Sequence, residues 1–443
     1  MRLKSLIAVF IVGTSFAIAQ TKQILIENVR ILDHNTAALT APMNVLVNGP
    51  KIEKISPSTI SIKDQNVVKI NGKGKTLMPG LIDVHVHMVF GSLTMQQMMS
   101  PEMSEEFLMT KVGEASHKML LRGFTSVRDA GGPIFPLKMA VDKGKVPGPR
   151  IWPSGATISQ TAGHGDFRTP NERSRRFFGK PSRAEELGAT FIADGRDEVL
   201  TATRENLRFG ASQIKLMAGG GTSSAYDPID VTQYTFDEIK AAVDAAEDWG
   251  TYVMVHAYTA RAVQRAIEAG VKSIEHGQML DEETLRLMAD KGVWLSLQNL
   301  MDNNDNMDEQ RKEKRKPVLD GQDKVWPLAK KLGVKLAWGT DFLFEPELNE
   351  DQNSYILRLQ KWFTNAEILK MVTHDNAELL QLSGLRNPYP GKLGVVEEQA
   401  LADLLLVDGN PLKDLSLIAN PEKNFLVIIK DGQIYKNKLS SKK

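Results

Sequence analysis

The sequence predicts an α/β chain: a (β/α)8 barrel of the TIM type carrying a small β-sandwich built from both termini. Three observations predict it. The middle of the chain alternates eight apolar strand signals with helical stretches. Both ends are instead rich in short strand-like runs. Metal-capable side chains fall at the ends of strand signals, where a barrel gathers its functional groups.

The bounds agree. The chain has 443 residues, 42% of them hydrophobic, enough for a large core and an added module. A net charge of +1, with no basic stripe, gives no reason to expect nucleic acid. There is no cysteine, so neither a disulfide framework nor a lipid-attachment cysteine is possible. Arg2 and Lys4, the apolar run Leu6 to Val12 and Ala17-Ile-Ala19 have the order of a secretory signal over residues 1–19. An uncleaved anchor is the alternative, but the run is shorter than the ~20 residues a span needs. A periplasmic or secreted protein follows, with no stable membrane insertion after cleavage.

In chain order, residues 20–78 hold strand signals at Gln23–Val29, Met43–Val47, Lys51–Ile55 and Val67–Ile70, with turn signals at Asn48-Gly49-Pro50 and Asn71-Gly72. Residues 79–385 hold barrel strands at Leu81–Val86, Thr125–Arg128, Arg150–Ala156, Ser212–Met217, Tyr252–His256, Ser273–Glu275, Val293–Leu297 and Lys335–Trp338. Helices are expected between most of them, as at 106–121, 236–248, 260–269 and 282–291. A doubly wound sheet is the rival, but no glycine-rich nucleotide fingerprint follows the first strand. Residues 386–443 return to strands at Leu404–Val407, Phe425–Lys430 and Gln433–Tyr435, the last two joined through Asp431-Gly432.

His85 and His87 close the first barrel strand, two residues apart, so both imidazoles share one face of an extended chain. Lys215 sits in the fourth strand among apolar neighbours. His256 ends the fifth, His276 the sixth, and Asp341 follows the eighth. Histidine and carboxylate suit zinc and similar divalent ions. A lysine inside an apolar strand is costly unless paired or neutralised. Pairing with a carboxylate is the plain reading. The functional one is carboxylation by carbon dioxide to N6-carboxylysine, an anionic carbamate able to bridge two cations.

The stretch from Lys75 to His87, Val271 to Gly277, Trp338 to Asp341, and Gly391 to Gly394 through Ala402 to Asp408 resemble the amidohydrolase superfamily. Within it they resemble the imidazolonepropionase-like and Xaa-Pro dipeptidase branch, with similarity to ochratoxin-hydrolysing amidohydrolases. The resemblance implies one metal on His85, His87 and Asp341, a second on His256 and His276, and a bridging carboxylated Lys215. It implies two divalent ions, zinc first, holding a hydroxide against a polarised carbonyl. Asp341 would take the proton from the attacking water and pass it to the leaving amine.

His164, in a loop after the third strand, is expected to bind the substrate carbonyl or oxyanion, and Tyr226 to do related work. Gly219-Gly-Gly221 suggests close backbone approach near the metals. One of Arg168, Arg173, Arg175 and Arg176 is a candidate to hold a substrate carboxylate, with solvated surface charge the plain reading for most of them. The charge-dense segment Asp302 to Lys316 reads as a solvated helix before a lid, and His34, His117 and His374 as non-catalytic. The expected activity is hydrolysis of an amide in a small carboxylate-bearing molecule: an Xaa-Pro dipeptide or an N-acyl amino acid, including ochratoxin-like ones. Lactone, ester, phosphotriester or cyclic-amide hydrolysis on the same site is the alternative. The small-molecule substrate is the expected partner, in a homo-oligomer. Intact mass of exported protein should show a mature chain beginning at Gln20; retention of Met1 in a membrane-attached form would reject the signal.

Overall fold

The computed structural model describes residues 23–100, 103–305 and 307–439. The signal segment expected at 1–19 lies outside them. The first strands are β1 (Gln23–Asp33), β2 (Ala38–Asn48), β3 (Lys51–Ser56), β4 (Val68–Asn71) and β5 (Thr76–Pro79). The middle supplies β6 (Leu81–Val86), β7 (Phe124–Asp129), β8 (Arg150–Pro153), β9 (Thr157–Ser159) and β10 (Thr190–Ile192). It continues with β11 (Ile214–Met217), β12 (Val253–Thr259), β13 (Ser273–Met279), β14 (Trp294–Leu297) and β15 (Lys335–Trp338). The last are β16 (Leu404–Val407), β17 (Phe425–Lys430) and β18 (Gln433–Asn437).

The middle strands pair in parallel, as order β6-β7-β8 and order β10-β9-β11-β12-β13-β14-β15. Every residue of β6, β7 and β11 is buried, as expected of strands covered on both faces. The two sheets are stitched at both sides. Ser212 N–H donates to Pro153 O at 2.8 Å, and Asp341 N–H to His85 O at 2.8 Å. The helices pack around this core through small and branched residues, such as Ala241, Ala242, Ala245 and Ala246 of helix Phe236–Asp248.

Two features depart from the expectation. The third expected strand, Arg150–Ala156, ends at Pro153, and a new strand starts at Thr157. Between them Gly155 has φ +77, and the Asn206 amide brackets Ala156 at 3.0 and 2.8 Å. The second piece pairs with the short β10, which the sequence reading missed. The charged segment at 302–316 is half loop, half helix. The helix starts at Glu309, capped by the Asp308 carboxylate, and runs through Pro317 and Pro327 to Lys331.

Both ends of the chain meet in one sheet of order β18-β17-β16-β5-β1-β2-β3, with β4 alongside β1. Its β17–β18 hairpin turns on Asp431 and Gly432, both at positive φ (54° and 68°), as a primed two-residue turn requires. This sheet has its own apolar core around Val29, Val45, Leu77, Leu404 and Val427. It is tied to β8 by charge: the buried Arg150 guanidinium holds Asp403 at 2.9 Å and Asp431 at 2.8 Å.

Removing that cation would strand the buried Asp403 carboxylate. Arg150→Ala should therefore cost about 3–5 kcal/mol in chemical denaturation. A loss below about 1 kcal/mol would show that the seam does not depend on this pair.

Candidate active site

His85 sits at 0% exposure near the end of β6. Its Nδ1 lies 2.7 Å from Glu275 Oε2, so Nδ1 donates and Nε2 keeps its lone pair. Glu275 is itself gripped by Arg128, whose Nη2 reaches both carboxylate oxygens at 2.8 Å. Arg128 also donates from Nη1 to Tyr252 Oη at 3.1 Å and to Ser273 Oγ at 3.3 Å. His87 Nδ1 donates to Gly131 O at 3.0 Å, and His256 Nε2 to Gly220 O at 3.0 Å. Each of these three imidazoles thus has one nitrogen fixed as a donor and the other free to ligate, the arrangement metal-binding histidines need.

The free nitrogens converge. His85 Nε2 is 3.3 Å from Lys215 Nζ and 3.4 Å from Asp341 Oδ1. His87 Nε2 is 3.2 Å from Asp341 Oδ1, and His276 Nε2 is 3.8 Å from Asp341 Oδ2. The rings of His256 and His276 lie 4.4 Å apart. Ligand atoms of His85, His276 and Asp341 fall within 4.8 Å of one another. All six residues expected at the metal centre are therefore brought into one cluster, the histidines and Lys215 buried and Asp341 half-buried. Nitrogen and oxygen donors in this mix fit a divalent transition ion.

Two of the six are held in unusual backbone. His276 has φ +80 and Asp341 φ +58. Such conformations cost energy for residues other than glycine and persist where the surroundings over-determine them. The surroundings here are specific. Gln298 Oε1 accepts from His276 N–H at 2.9 Å, and His85 O accepts from Asp341 N–H at 2.8 Å. Gly339 makes the second contact possible, since a Cβ there would lie 2.4 Å from His85 N.

Electrostatics follow from burial. Burial pushes the Lys215 amine down to about 8, against the pull of Glu275 and Asp341. Burial also lowers His276 to about 3 and holds His85 and His256 well below the usual imidazole range. For Asp341 burial raises the carboxyl, but His85, the bond from His87 and His276 outweigh it and keep the group an anion. Neutral imidazoles around a carboxylate are the protonation state that ligation requires.

His164 reaches the cluster. It stacks on His256 with ring centroids 3.9 Å apart, and its Nδ1 lies 3.0 Å from Ser224 Oγ. Gly221 permits this, because a Cβ there would stand 1.8 Å from His164 Nδ1. Tyr226 does not reach it. The loop folds back as Asp227 takes the Gly221 N–H at 2.8 Å, leaving Tyr226 45% exposed with its hydroxyl on Arg168 O at 2.7 Å. The tyrosine that does is Tyr258, buried with its ring 5.1 Å from His256 and 5.0 Å from His276. Sequence reasoning passed over it, although it stands two residues after His256 on the same strand face.

The arginines expected to hold a substrate carboxylate have other partners. Arg168 is bonded to Asp166 at 2.7 Å, Arg175 lies 3.5 Å from Glu185, Arg176 3.4 Å from Glu198, and Arg173 covers the Phe178 ring. His34 and His374 stack on each other at 4.2 Å, outside the cluster.

Glu275 sets the His85 tautomer, so Glu275→Gln should weaken metal affinity by about 10–100-fold, as loss of such orienting partners does elsewhere. Competition with a chromophoric chelator measures it. Unchanged affinity in the folded variant would detach Glu275 from the site.

Residues 76–435 match the amidohydrolase family. Ochratoxinase from Aspergillus niger is 31% identical over 380 residues, covering 81% of this chain and 75% of that protein. A crystal structure of a prolidase complexed with N-methylphosphonate-L-proline superposes with TM-score 0.85 at 33% identity, covering 94% of this chain and 100% of the other. A Xaa-Pro dipeptidase with methionine bound in its active site gives TM-score 0.79 at 30% identity, covering 94% and 100%. The chain belongs to the amidohydrolase family and is a hydrolase of carbon–nitrogen bonds.

Proposed function

We propose that this protein is a binuclear metal-dependent hydrolase that cleaves the amide of a small carboxylate-bearing substrate, an Xaa-Pro dipeptide or an N-acyl amino acid. The observation that carries it is the buried run of contacts from His87 through Asp341 and His85 to Lys215, with His276 and His256 alongside. His85, His87 and Asp341 would hold one divalent ion and His256 and His276 the other, zinc being the first candidate. Lys215, carboxylated, would bridge them. It is buried, lies against His85 and has no carboxylate at ion-pair distance among the described residues. When bound, the two cations supply an activated water and polarise the scissile carbonyl.

The remaining steps fall to the chain's own residues. Asp341 takes the water's proton and returns it to the leaving nitrogen as the C–N bond breaks, giving a carboxylic acid and a free amine. His164, stacked beside His256, offers a hydrogen bond where the carbonyl oxygen gains charge. The likeness to an ochratoxinase, a prolidase and a Xaa-Pro dipeptidase supports an amino acid as leaving group. On this reading the site lies at the strand ends of a closed (β/α)8 barrel spanning about residues 79–385. Residues 20–78 and 386–443 form the β-sandwich, and the mature protein is periplasmic or secreted, suited to scavenging or detoxification.

A turnover screen of zinc-loaded protein against Xaa-Pro dipeptides and N-acyl amino acids tests the reading. Clear preference for lactones or phosphotriesters would reject it. Asp341→Asn should lose at least ~10²–10⁴-fold in kcat at full metal content; near-wild-type turnover would remove Asp341 from the mechanism.

A further inference from the structure

His164 is carried by the loop after β9, yet it is held from β12 and from the segment after β11. Its ring lies face to face with His256, 18° from parallel at 3.9 Å. Its backbone N–H donates to Gln233 Oε1 at 3.0 Å. Gln233 is 1% exposed, and its own N–H donates to Ala218 O at 2.8 Å, next to the end of β11. The third hold is on the ring: Nδ1 lies 3.0 Å from Ser224 Oγ.

That hydroxyl bears on which ring nitrogen carries the proton. A neutral imidazole has one N–H and one lone pair, and a serine hydroxyl can serve either. A protonated Nδ1 would turn to an anion before a hydroxyl, and one is close. The buried Asp227 carboxylate stands 3.9 Å from Nδ1, beyond hydrogen-bond reach, with Oδ2 already accepting from Gly221 N–H at 2.8 Å and from Gln233 Nε2 at 3.3 Å. Nδ1 is directed to the hydroxyl instead. The same edge of the ring faces the loop after β11, since a Cβ on Gly221 would stand 1.8 Å from Nδ1 and 2.0 Å from Cε1. Nε2 is therefore the polar atom left for the cluster, whose Asp341 and Lys215 act electrostatically on this ring.

The loop that presents Ser224 is itself clasped. Lys314, on the helix Glu309–Lys331, donates to Ser224 O at 2.8 Å and to Asp227 O at 2.7 Å. Strands β12 and β13 lie between β11 and β14 in the sheet, so this lysine bridges segments that the sheet keeps two strands apart. Tyr226 Oη donates to Arg168 O at 2.7 Å, four residues beyond His164. The loops after β9 and β11 are thus joined twice, at His164–Ser224 and at Arg168–Tyr226.

We propose that Ser224 is a positioning residue: its hydroxyl donates to His164 Nδ1, which keeps the proton on Nε2 as the donor that meets the carbonyl oxygen, while Lys314 holds Ser224 in reach. The proposal rests on the role given to His164 above. Without the hydroxyl the ring can take the other tautomer, and Nε2 then turns a lone pair toward an oxygen gaining charge. The cost falls on the chemical step and not on substrate binding.

The experiment measures kcat and KM on an N-acyl amino acid at saturating zinc, in wild type and in Ser224→Ala, Ser224→Thr, Lys314→Met, His164→Ala and the double variant Ser224→Ala with His164→Ala. Ser224→Ala should lower kcat about tenfold, short of the ~10²–10³-fold for removing an oxyanion donor outright, with KM and zinc content little changed. Ser224→Thr keeps the hydroxyl and should stay near wild type. Lys314→Met should fall in the same direction by less. In the His164→Ala background Ser224→Ala should cost nothing further, because two residues that act through one contact are not additive. Imidazole nitrogen NMR, with His164 assigned through His164→Ala, should show the proton on Nε2 in wild type and mixed tautomers in Ser224→Ala.

An equal loss from Ser224→Ala in both backgrounds overturns the proposal, since a brace for the loop would act whether or not His164 is present. A loss confined to KM, or a wild-type His164 protonated on Nδ1, overturns it as well. Wild-type kcat in His164→Ala defeats the role of His164 itself, an outcome separate from these. Absence of turnover on this substrate class defeats the functional reading, and the NMR measurement then still decides the tautomer.

Discussion

The buried run from Arg128 through Glu275 to His85 crosses three strands, β7, β13 and β6, and the cluster is built outward from it. Such a run is expensive to bury. Its cost is offset only because each member is fully bonded: Arg128 to Glu275, Tyr252, Ser273 and the Val84 carbonyl, and Glu275 in turn to Ser273 and His85. Replacing it with apolar residues of equal volume need not destabilise the scaffold. What it contributes is direction. With Nδ1 of His85 committed to Glu275, Nε2 has one orientation left, toward Lys215 and Asp341.

The same logic recurs around the cluster at smaller scale. Backbone carbonyls of Gly131 and Gly220 fix two more imidazoles, and Gln298 fixes the backbone of a fourth. Asp83, itself a buried residue of β6, accepts from His85 N–H and from Thr340 in the approach to Asp341, which couples the two ends of the cluster. Burial pushes the Asp83 carboxyl up to about 6 despite those bonds. The positive φ of His276 and Asp341 is held by this surrounding network of short, specific contacts.

Most of the cluster was legible because it obeys strand periodicity. His85 and His87 share a face, and His256, His276 and Asp341 each follow an apolar strand run. Tyr258 obeys the same two-residue rule from His256 and could have been found by it. The burial of Arg315, in the helix Glu309–Lys331, could not: it lies in a segment so dense in charge that composition argues for solvent, and only the fold turns it inward. The partners of the arginines after β9 were not legible for the converse reason: Asp166, Glu185 and Glu198 are brought to them by loop packing that no periodicity records. The break between β8 and β9 is written in Pro153 and Gly155, but the three residues of β10 are too few to carry a period.

The shared terminal sheet has a consequence for how the molecule is made. Strand β5 lies between β1 and β16, pairing Leu77 with Leu406 and Met78 with Leu405. During synthesis the first strands emerge with that edge of β5 open, its backbone donors and acceptors unsatisfied and flanked by apolar side chains. They stay so until β16, more than three hundred residues further along, has left the ribosome. An open apolar edge is a template for pairing with another nascent chain. Completion of this sheet is therefore a late, chain-spanning event, and the interval before it is when a holding chaperone has most to protect.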